Sequence, residues 1–361
     1  MMDEGLGEQR CTLCGKRSPR IAAALAVCRR CVVGRPEEAR TVARACHQAS
    51  RRLFGLPEAP PETPGGVRCG LCAHECCIGE GEKGFCGLRT VCNGRLVHLA
   101  GTPAQGLLHW CRDPLPTNCV ADWVCAGHTQ RGDHNLAVFY SSCTLDCIYC
   151  QNWHYREVDP TTGPKTSAQS LADLANSRTY CVCYFGGDPA SQMPHALASA
   201  CLLAQRGVAV CWETSGNANP RLMDRAVALS LRTGGLVKFD LKAHNEHLHY
   251  ALTGGSNART LENFAQAARR FWERPHLALV VASTLLVPGY VNADEIGHIA
   301  SFIASLDARI PYALLAFAPN YLMPDLPTTS VSQAEAALVA AQDAGLQNVR
   351  IGNRHLLSRS D

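Results

Sequence analysis

The chain has 361 residues, of which 47% are hydrophobic and 18% charged, a globular composition long enough for one large domain and a smaller one. Its net charge of +3 neither favours nor excludes a nucleic-acid partner. The polar start of the chain is unlike a signal peptide, and the apolar run Ile21–Val27 is too short to cross a bilayer. We therefore expect a cytoplasmic protein without membrane association.

The first module contains two C-x2-C pairs. The chain has 21 cysteines, and in a long sequence without an export signal such pairs indicate metal ligands rather than disulfides. Two pairs fit one tetrahedral zinc ion, which would stabilise a segment with little core of its own, and a rubredoxin-like iron is the alternative. The predicted ligands are Cys11, Cys14, Cys28 and Cys31.

A helical pattern over residues 36–54 completes an N-terminal unit at residues 1–56, in which His47 is either a ligand or an ordinary helix residue. A Pro/Gly-rich linker at 57–68 follows, and then a second cysteine-rich module at 69–135. Four thiols of this module predict either a zinc site or an auxiliary iron–sulfur cluster: Cys69, Cys72, Cys76 and Cys86. Spare cysteines, including Cys119 and Cys125, leave room for a further cluster.

From residue 136 onward, strand and helix patterns alternate. Apolar runs predict buried strands at 136–142, 180–186, 208–214, 236–241, 277–287, 312–318 and 348–352. Amphipathic segments predict helices at 167–177, 192–206, 219–232, 258–272, 293–307 and 331–344. Repeated β–α units give parallel strands with right-handed crossovers. The predicted fold class is therefore α/β, with a partial (β/α)6-type barrel over residues 136–355.

Three cysteines follow the first of these strands at the spacing C-x3-C-x2-C, namely Cys143, Cys147 and Cys150. Thiolates suit iron–sulfur clusters, and three of them leave one iron of a four-iron cluster open to a substrate or cofactor. The structural alternative is three buried or zinc-bound cysteines. The predicted site is a [4Fe-4S] cluster at the carboxyl end of the sheet, where barrels of this kind carry their chemistry.

Polar segments end the next strands along the chain. Gly186-Gly187-Asp188 combines close backbone approach with a carboxylate that can accept hydrogen bonds from an ammonium group, although a plain β–α turn is the alternative. The next strands end in Glu213-Thr214-Ser215 and Asp240-Leu241-Lys242.

The cysteine motif, with Tyr149 before its third cysteine, resembles the signature of the radical S-adenosylmethionine superfamily. The strand-end segments, with His249 and Leu252-Thr253-Gly254, resemble the pattern of glycyl-radical activating enzymes, typified by pyruvate formate-lyase activating enzyme. The cysteines of the second module, the segment Pro114–Asn118 and the Gln-Asn pair after Cys150 are similar to the AmmeMemoRadiSam-type activating-enzyme-like proteins. The resemblance covers residues 69–355. Ala318 stands where relatives often have histidine.

This resemblance implies a cluster whose open iron chelates S-adenosylmethionine, and a flavodoxin- or ferredoxin-like electron donor. The residues that it places at the cofactor are Tyr149, Gly186, Gly187, Asp188, Ser215 and Lys242. It also implies a monovalent cation held by Glu213, Thr214 and Asp240, with pairing of Asp240 to Lys242 or Lys238 as the alternative.

Reductive cleavage of the cofactor would yield a 5′-deoxyadenosyl radical that abstracts hydrogen from a substrate. That substrate is either the glycine of a glycyl-radical enzyme, hence a protein partner, or a peptide, protein, nucleic acid or small molecule that the enzyme modifies. A non-catalytic zinc or electron-transfer protein is the third hypothesis. That hypothesis does not explain why the polar strand-end segments follow the cysteine motif in order.

Overall fold

The computed structural model describes residues 7–117 and 119–359, so the first six residues of the predicted 1–56 unit and Asn118 of the Pro114–Asn118 segment lie outside the described residues. The N-terminal unit consists of β1 (Gln9–Arg10), β2 (Arg17–Ser18), α1 (Arg29–Gly34) and α2 (Pro36–Arg52). Proline begins α2 where its missing N–H costs no helix hydrogen bond, and Glu37 and Glu38 follow at the positive end of the helix dipole.

The second cysteine-rich segment contains two small antiparallel pairs of strands. They are β3 (Val67–Arg68) with β4 (Cys77–Ile78), and β5 (Arg89–Cys92) with β6 (Arg95–His98). The buried core between them is small and consists of Cys69, Cys76, Ile78, Phe85 and Val91. A segment with so little core gains stability from a bound metal.

A nine-stranded sheet forms the centre of the molecule. Its elements in chain order are β7 (Gly106–Pro114), β8 (His134–Tyr140), β9 (Lys165–Thr166), β10 (Thr179–Phe185), β11 (Ala209–Thr214), β12 (Val237–Asp240), β13 (Val280–Leu286), β14 (Tyr312–Ala316) and β15 (Val349–Gly352). From β8 and β10 through β15 each strand pairs in parallel with the next, which confirms the seven predicted strands. β15 and β9 form the two edges, so the described strands make an open sheet.

Helices connect the parallel strands, as predicted. They are α3 (Ala168–Ala172), α4 (Met193–Gln205), α5 (Pro220–Thr233), α6 (Glu246–Thr253), α7 (Ala258–Ala268), α8 (Ala293–Leu306) and α9 (Val331–Asp343). Side-chain caps fix several starts: Asn292 accepts a hydrogen bond from Glu295 N, and Ser330 accepts one from Gln333 N. Helix α6 was not predicted. None of the described helices is long and apolar enough to cross a membrane.

The large sheet begins earlier in the chain than predicted. β7 lies within the segment assigned to the second module, yet it pairs antiparallel with β8 along its length, from Leu108 opposite Tyr140 to Pro114 opposite His134. Much of the second half of β7 is exposed, so its sequence lacks the continuous apolar run of a buried strand. The predicted boundary at residue 136 therefore separates two neighbouring strands of one sheet.

Different parts of the chain pack against the two faces of the sheet. Tyr184 of β10 points to the helices, where its hydroxyl lies 2.8 Å from Ser199 Oγ of α4. Cys181, on the same strand but the opposite face, packs with Leu115 and Ala121 from the segment between β7 and β8. We call this opposite side the loop-covered face. The alternation follows from the two-residue period of a strand.

Candidate active site

The three motif cysteines lie on the loop after β8, at the carboxyl end of the parallel sheet. Neighbouring segments hold this loop through its backbone. Asp146 N donates to Thr253 O at 2.8 Å, Ile148 N donates to Leu252 O at 3.1 Å, and Leu322 N donates to Ile148 O at 2.9 Å. The end of α6 thus supports one side of the loop, and the late segment after β14 supports the other.

The motif thiols are buried or half-buried, with two cations nearby. Cys147 is 9% exposed, and Cys150 is half-buried. Burial raises the pKa of Cys147 to about 12 and also raises the pKa of Cys150, while the charges of Lys242 and Arg156 oppose both shifts. Metal binding requires the thiolate form, so an iron–sulfur cluster fits this set of soft donors flanked by positive charge.

The spacing of the thiols separates two kinds of cysteine set. Among the residues that the structure describes, Cys11, Cys14, Cys28 and Cys31 alone form a group of three or more donors within 4.8 Å of one another. Cys14 Sγ and Cys28 Sγ lie 3.8 Å apart, which matches about 3.8 Å between sulfurs around one tetrahedral ion with bonds of about 2.3 Å. The motif thiols are more widely spaced, as expected when each cysteine binds a different iron.

A buried polar network behind the cluster loop was not predicted. Asp146, between the first and second motif cysteines, lies 2.9 Å from His47 Nδ1 and 3.1 Å from both Ser50 Oγ and Arg156 Nη1. Ser50 Oγ in turn lies 2.8 Å from Tyr321 Oη. His47 is therefore no ligand of the first module but a partner of the cluster loop. The only sequence signal for this network was the aspartate within the cysteine motif, and the residues that contact it are distant in sequence.

The two glycines of the Gly-Gly-Asp segment contact the cluster strand. Both have positive φ, 63° at Gly186 and 58° at Gly187. A Cβ on Gly187 would lie 2.1 Å from Tyr140 O and 2.4 Å from Ser142 O, and one on Gly186 would lie 2.3 Å from Phe139 Cδ1. Both positions require glycine because their backbone lies directly against another part of the chain. That neighbour is β8 and the loop after it, not a ligand.

Asp188 connects the ends of three strands. Its carboxylate accepts hydrogen bonds from Ala190 N at 2.9 Å, Thr144 Oγ1 at 3.2 Å and Thr214 Oγ1 at 2.9 Å, and also from Ser215 Oγ. It is 1% exposed, and burial raises its pKa despite these donors. An ammonium group could reach this carboxylate only if one of the hydroxyls moved aside.

Two carboxylates at the strand ends pair with lysines. Glu213 pairs with Lys238, and Asp240 pairs with Lys242. The Lys242 ammonium also lies 5.7 Å from the centre of the Tyr149 ring. The structure therefore shows the ion-pair alternative at Asp240, and it brings Lys242 and Tyr149 together beside the cluster loop as expected.

The second cysteine-rich module covers the end of β11. Ala73 N donates to Asn217 O at 2.8 Å, and Asn219 N donates to Leu71 O at 2.9 Å. Arg89 is 1% exposed in this module; its Nη1 donates to Ser191 O at 2.6 Å and lies 3.6 Å from Cys86 Sγ. Its Nε and Nη2 have no hydrogen-bond partner among the described residues, so positive charge remains available beside a thiol.

A polar groove of about 570 Å³ opens between α2, this module and the loop after α6, and it reaches Asp146 behind the cluster loop. Arginine and histidine side chains line much of it: Arg40, Arg44, Arg51, Arg259, His47 and His74.

Comparison with known proteins gives a consistent result. The profile of the Radical SAM superfamily matches residues 137–303. The chain is 24% identical over 295 residues to the uncharacterized protein MJ0808 of Methanocaldococcus jannaschii, covering 80% of this chain and 81% of that one. It is 29% identical over 170 residues to pyruvate formate-lyase 1-activating enzyme of Escherichia coli K12, which covers 44% of this chain and 64% of the enzyme, less than two thirds of its length.

Among solved structures, a domain of pyruvate-formate lyase-activating enzyme from Bacteroides vulgatus aligns with a TM-score of 0.38 and 23% identity, covering 48% of this chain and 99% of that domain. The profile match spans the cysteine loop, the Gly-Gly-Asp segment and the later strand ends, which the structure brings to one edge of the sheet. The chain therefore contains a radical SAM domain and is an enzyme of the radical SAM type.

Proposed function

We propose that Cys143, Cys147 and Cys150 hold a [4Fe-4S] cluster and that the enzyme uses it to cleave S-adenosylmethionine. Bound there and reduced by a flavodoxin- or ferredoxin-like donor, such a cluster would supply the one electron that cleaves S-adenosylmethionine to methionine and a 5′-deoxyadenosyl radical, which would take a hydrogen atom from the substrate. The observation that carries the proposal is Asp188, whose carboxylate joins the cluster loop to the ends of β10 and β11. The buried Asp188 carboxylate thus fixes the side chains that would line one side of the cofactor site.

The cofactor site in this proposal comprises Tyr149, Gly186, Gly187, Asp188, Ser215 and Lys242. The Lys242 ammonium, although paired with Asp240, keeps further N–H groups that suit a carboxylate, and the Thr214 and Ser215 hydroxyls donate to Asp188, so their oxygens can still accept hydrogen bonds. Glu213 and Asp240 are already neutralised by lysines, which favours ion pairs over a monovalent cation at Glu213, Thr214 and Asp240.

We take the substrate to be a polypeptide. One relative with a named activity is an activating enzyme for pyruvate formate-lyase, which supports a glycyl-radical activase. The groove of about 570 Å³ behind the cluster loop is large enough for an extended segment of polypeptide, and its lining combines arginines with the carboxylates of Glu58, Glu62 and Glu262, which suits a polar segment.

A second candidate is modification of a smaller peptide or another small substrate. The second cysteine-rich module bonds to residues 217–219 directly over the end of β11, so it narrows the approach for a large folded partner. Incubation of the reduced enzyme with each substrate class, followed by detection of a glycyl radical or of a modified product, distinguishes the two.

The two N-terminal cysteine sets are metal sites in this proposal. The tight spacing of the Cys11 set fits a single zinc ion. The Cys69 set lacks this tight spacing, and Arg89 offers unpaired N–H groups beside Cys86, so an auxiliary iron–sulfur cluster suits it better than zinc.

Production of 5′-deoxyadenosine tests the proposed reaction. Anaerobically reconstituted protein, reduced with dithionite, should convert S-adenosylmethionine to 5′-deoxyadenosine, and Cys147→Ala should lose this activity because one iron loses its ligand. Cys111→Ala, which removes an exposed thiol outside the motif, is the control and should remain active. Equal product from both variants, or none from the wild type, would contradict the proposal.

A further inference from the structure

A second group of thiols lies on the loop-covered face of the sheet, away from the motif cysteines. It surrounds a cavity of about 120 Å³. Five cysteines line this cavity: Cys119, Cys125, Cys181, Cys183 and Cys211. Well-packed cores leave few voids, so an open space lined by five thiols calls for a chemical explanation.

The topology explains why three of these thiols meet. Cys181 and Cys183 are two residues apart on β10, so they point to the same face. Cys183 is the direct partner of Cys211 in the parallel pairing of β10 with β11. Neighbouring strands lie about 4.8 Å apart, which places these two side chains next to each other.

The segment between β7 and β8 supplies the other two thiols. The segment folds back over the sheet in two short 3-10 turns, Asp122–Val124 and Ala126–Thr129, which flank Cys125. Cys119 and Cys125 line the cavity together with the thiols of the two strands. Backbone N–H groups point to both: Ala121 N donates to Cys119 Sγ and Gly127 N donates to Cys125 Sγ, each at 3.4 Å.

These thiols share one cavity without being tightly clustered. Cys119, Cys125, Cys183 and Cys211 lie on its wall, with Cys181 beside them. No three of them lie within 4.8 Å of one another in the part of the chain that the structure describes.

Charged groups also surround this cavity. Three carboxylates line it, Asp113, Asp122 and Glu213, and the cation paired with Glu213 is Lys238, which is 6% exposed. Oε1 of Glu213 lies 3.8 Å from Cys119 Sγ. Among the described ion pairs, Glu213 pairs with Lys238 and with no second cation. A group ligated by four thiolates would thus have a buried lysine at its edge.

We propose that Cys119, Cys125, Cys183 and Cys211 bind an iron–sulfur cluster that is separate from the motif cluster. A single zinc ion requires four sulfurs about 3.8 Å apart, and no three of these thiols come within 4.8 Å of one another among the described residues, whereas a cluster spreads its ligands over several irons. Cys211 lies three residues before Thr214, which bonds to Asp188. The second cluster therefore lies beneath the proposed cofactor site, within the sheet's loop-covered face.

Metal analysis of matched variants tests this site without relying on catalysis. The background is Cys143→Ala/Cys147→Ala/Cys150→Ala, which removes the motif cluster. On it, Cys125→Ser/Cys211→Ser is compared with Cys201→Ser, a half-buried thiol on α4 at the other face. After anaerobic reconstitution, the cavity variant should lose about two to four irons per chain with matching sulfide, and the control should lose none. Because the motif cluster is absent throughout, failure here leaves the proposed reaction untouched.

Equal iron in both variants overturns the proposal, and so does loss of zinc in place of iron and sulfide. If the cavity variant does not fold, crystals of the reconstituted wild-type protein give the answer. Anomalous scattering at the iron edge should show density among the four thiols, and its absence there overturns the proposal.

Discussion

At the scale of single residues, Asp146 is the side chain that links the cysteine motif to the surrounding structure. It is a buried carboxylate inside the cysteine loop, and its donors come from α2 and from the segment after the motif. Buried charges are stable only with good partners, and removing one partner leaves the other unpaired in a medium that solvates it poorly. The aspartate therefore connects the N-terminal unit to the cluster loop.

Replacement of Asp146 should be costly. We expect Asp146→Asn to lower the free energy of unfolding by about 3 to 5 kcal/mol, because it leaves Arg156 buried without its counter-charge. Denaturant titration measures this change. Asp173→Asn, which breaks an exposed pair with Arg206, should have little effect. Similar losses in the two variants would show that the buried network is not special.

At the scale of secondary-structure elements, the end of β10 is fitted to the end of β8. The Gly186-Gly187 turn has positive φ at both residues and lies in direct contact with the backbone of the cluster strand. The geometry of this turn determines where Asp188 lies, and Asp188 in turn positions Thr214 and Thr144.

Alanine substitutions separate crowding from backbone strain. Gly207 has φ 79° with open space around its Cβ position, so Gly207→Ala should cost about 1 to 2 kcal/mol from the left-handed conformation alone. Gly187→Ala should cost clearly more and weaken S-adenosylmethionine binding, because its Cβ would lie 2.1 Å from Tyr140 O. Thermal unfolding and equilibrium binding measure both effects. Equal stability loss with unchanged binding would refute the close fit.

At the scale of the whole molecule, the first cysteine module is docked onto the sheet domain. Tyr290 Oη donates to Val27 O at 3.0 Å and accepts from Ala22 N at 3.1 Å, and Asp325 accepts from Ala23 N at 2.8 Å. These contacts involve the segment between the two cysteine pairs, so a metal bound by the four cysteines and the docking surface would support each other.

Loss of the metal should loosen this docking. Cys14→Ser should remove the metal of the first module and accelerate amide hydrogen exchange across residues 11–31, because one tetrahedral ligand is lost. Cys92→Ser, which alters an exposed thiol outside the module, should leave exchange there unchanged. Metal analysis and exchange mass spectrometry provide the measurements. Unchanged exchange in the metal-free variant would show that contacts with Tyr290 suffice.

Several features could be predicted from local sequence because their causes are local. The seven parallel strands are apolar runs, and most of the helices between them carry an amphipathic pattern with asparagine or serine caps. The C-x3-C-x2-C motif likewise places its three thiols on one loop, since few residues separate them. Helix α6, at Glu246–Thr253, was missed because this stretch was interpreted only as part of the strand-end motif with His249 and Leu252-Thr253-Gly254.

The remaining features depend on contacts between residues that are distant in the chain. Asp146 meets His47 across 99 residues, and Cys125 and Cys211 line one cavity only because a loop folds over the sheet. Pairing of β7 with β8 was missed for the same reason. A sequence pattern reports which side chains share a face of one element, but the packing of elements decides which faces meet. The sequence by itself therefore determined the fold class and the cysteine motif. The tertiary structure decided the buried network around Asp146 and the cavity lined by cysteines on the loop-covered face.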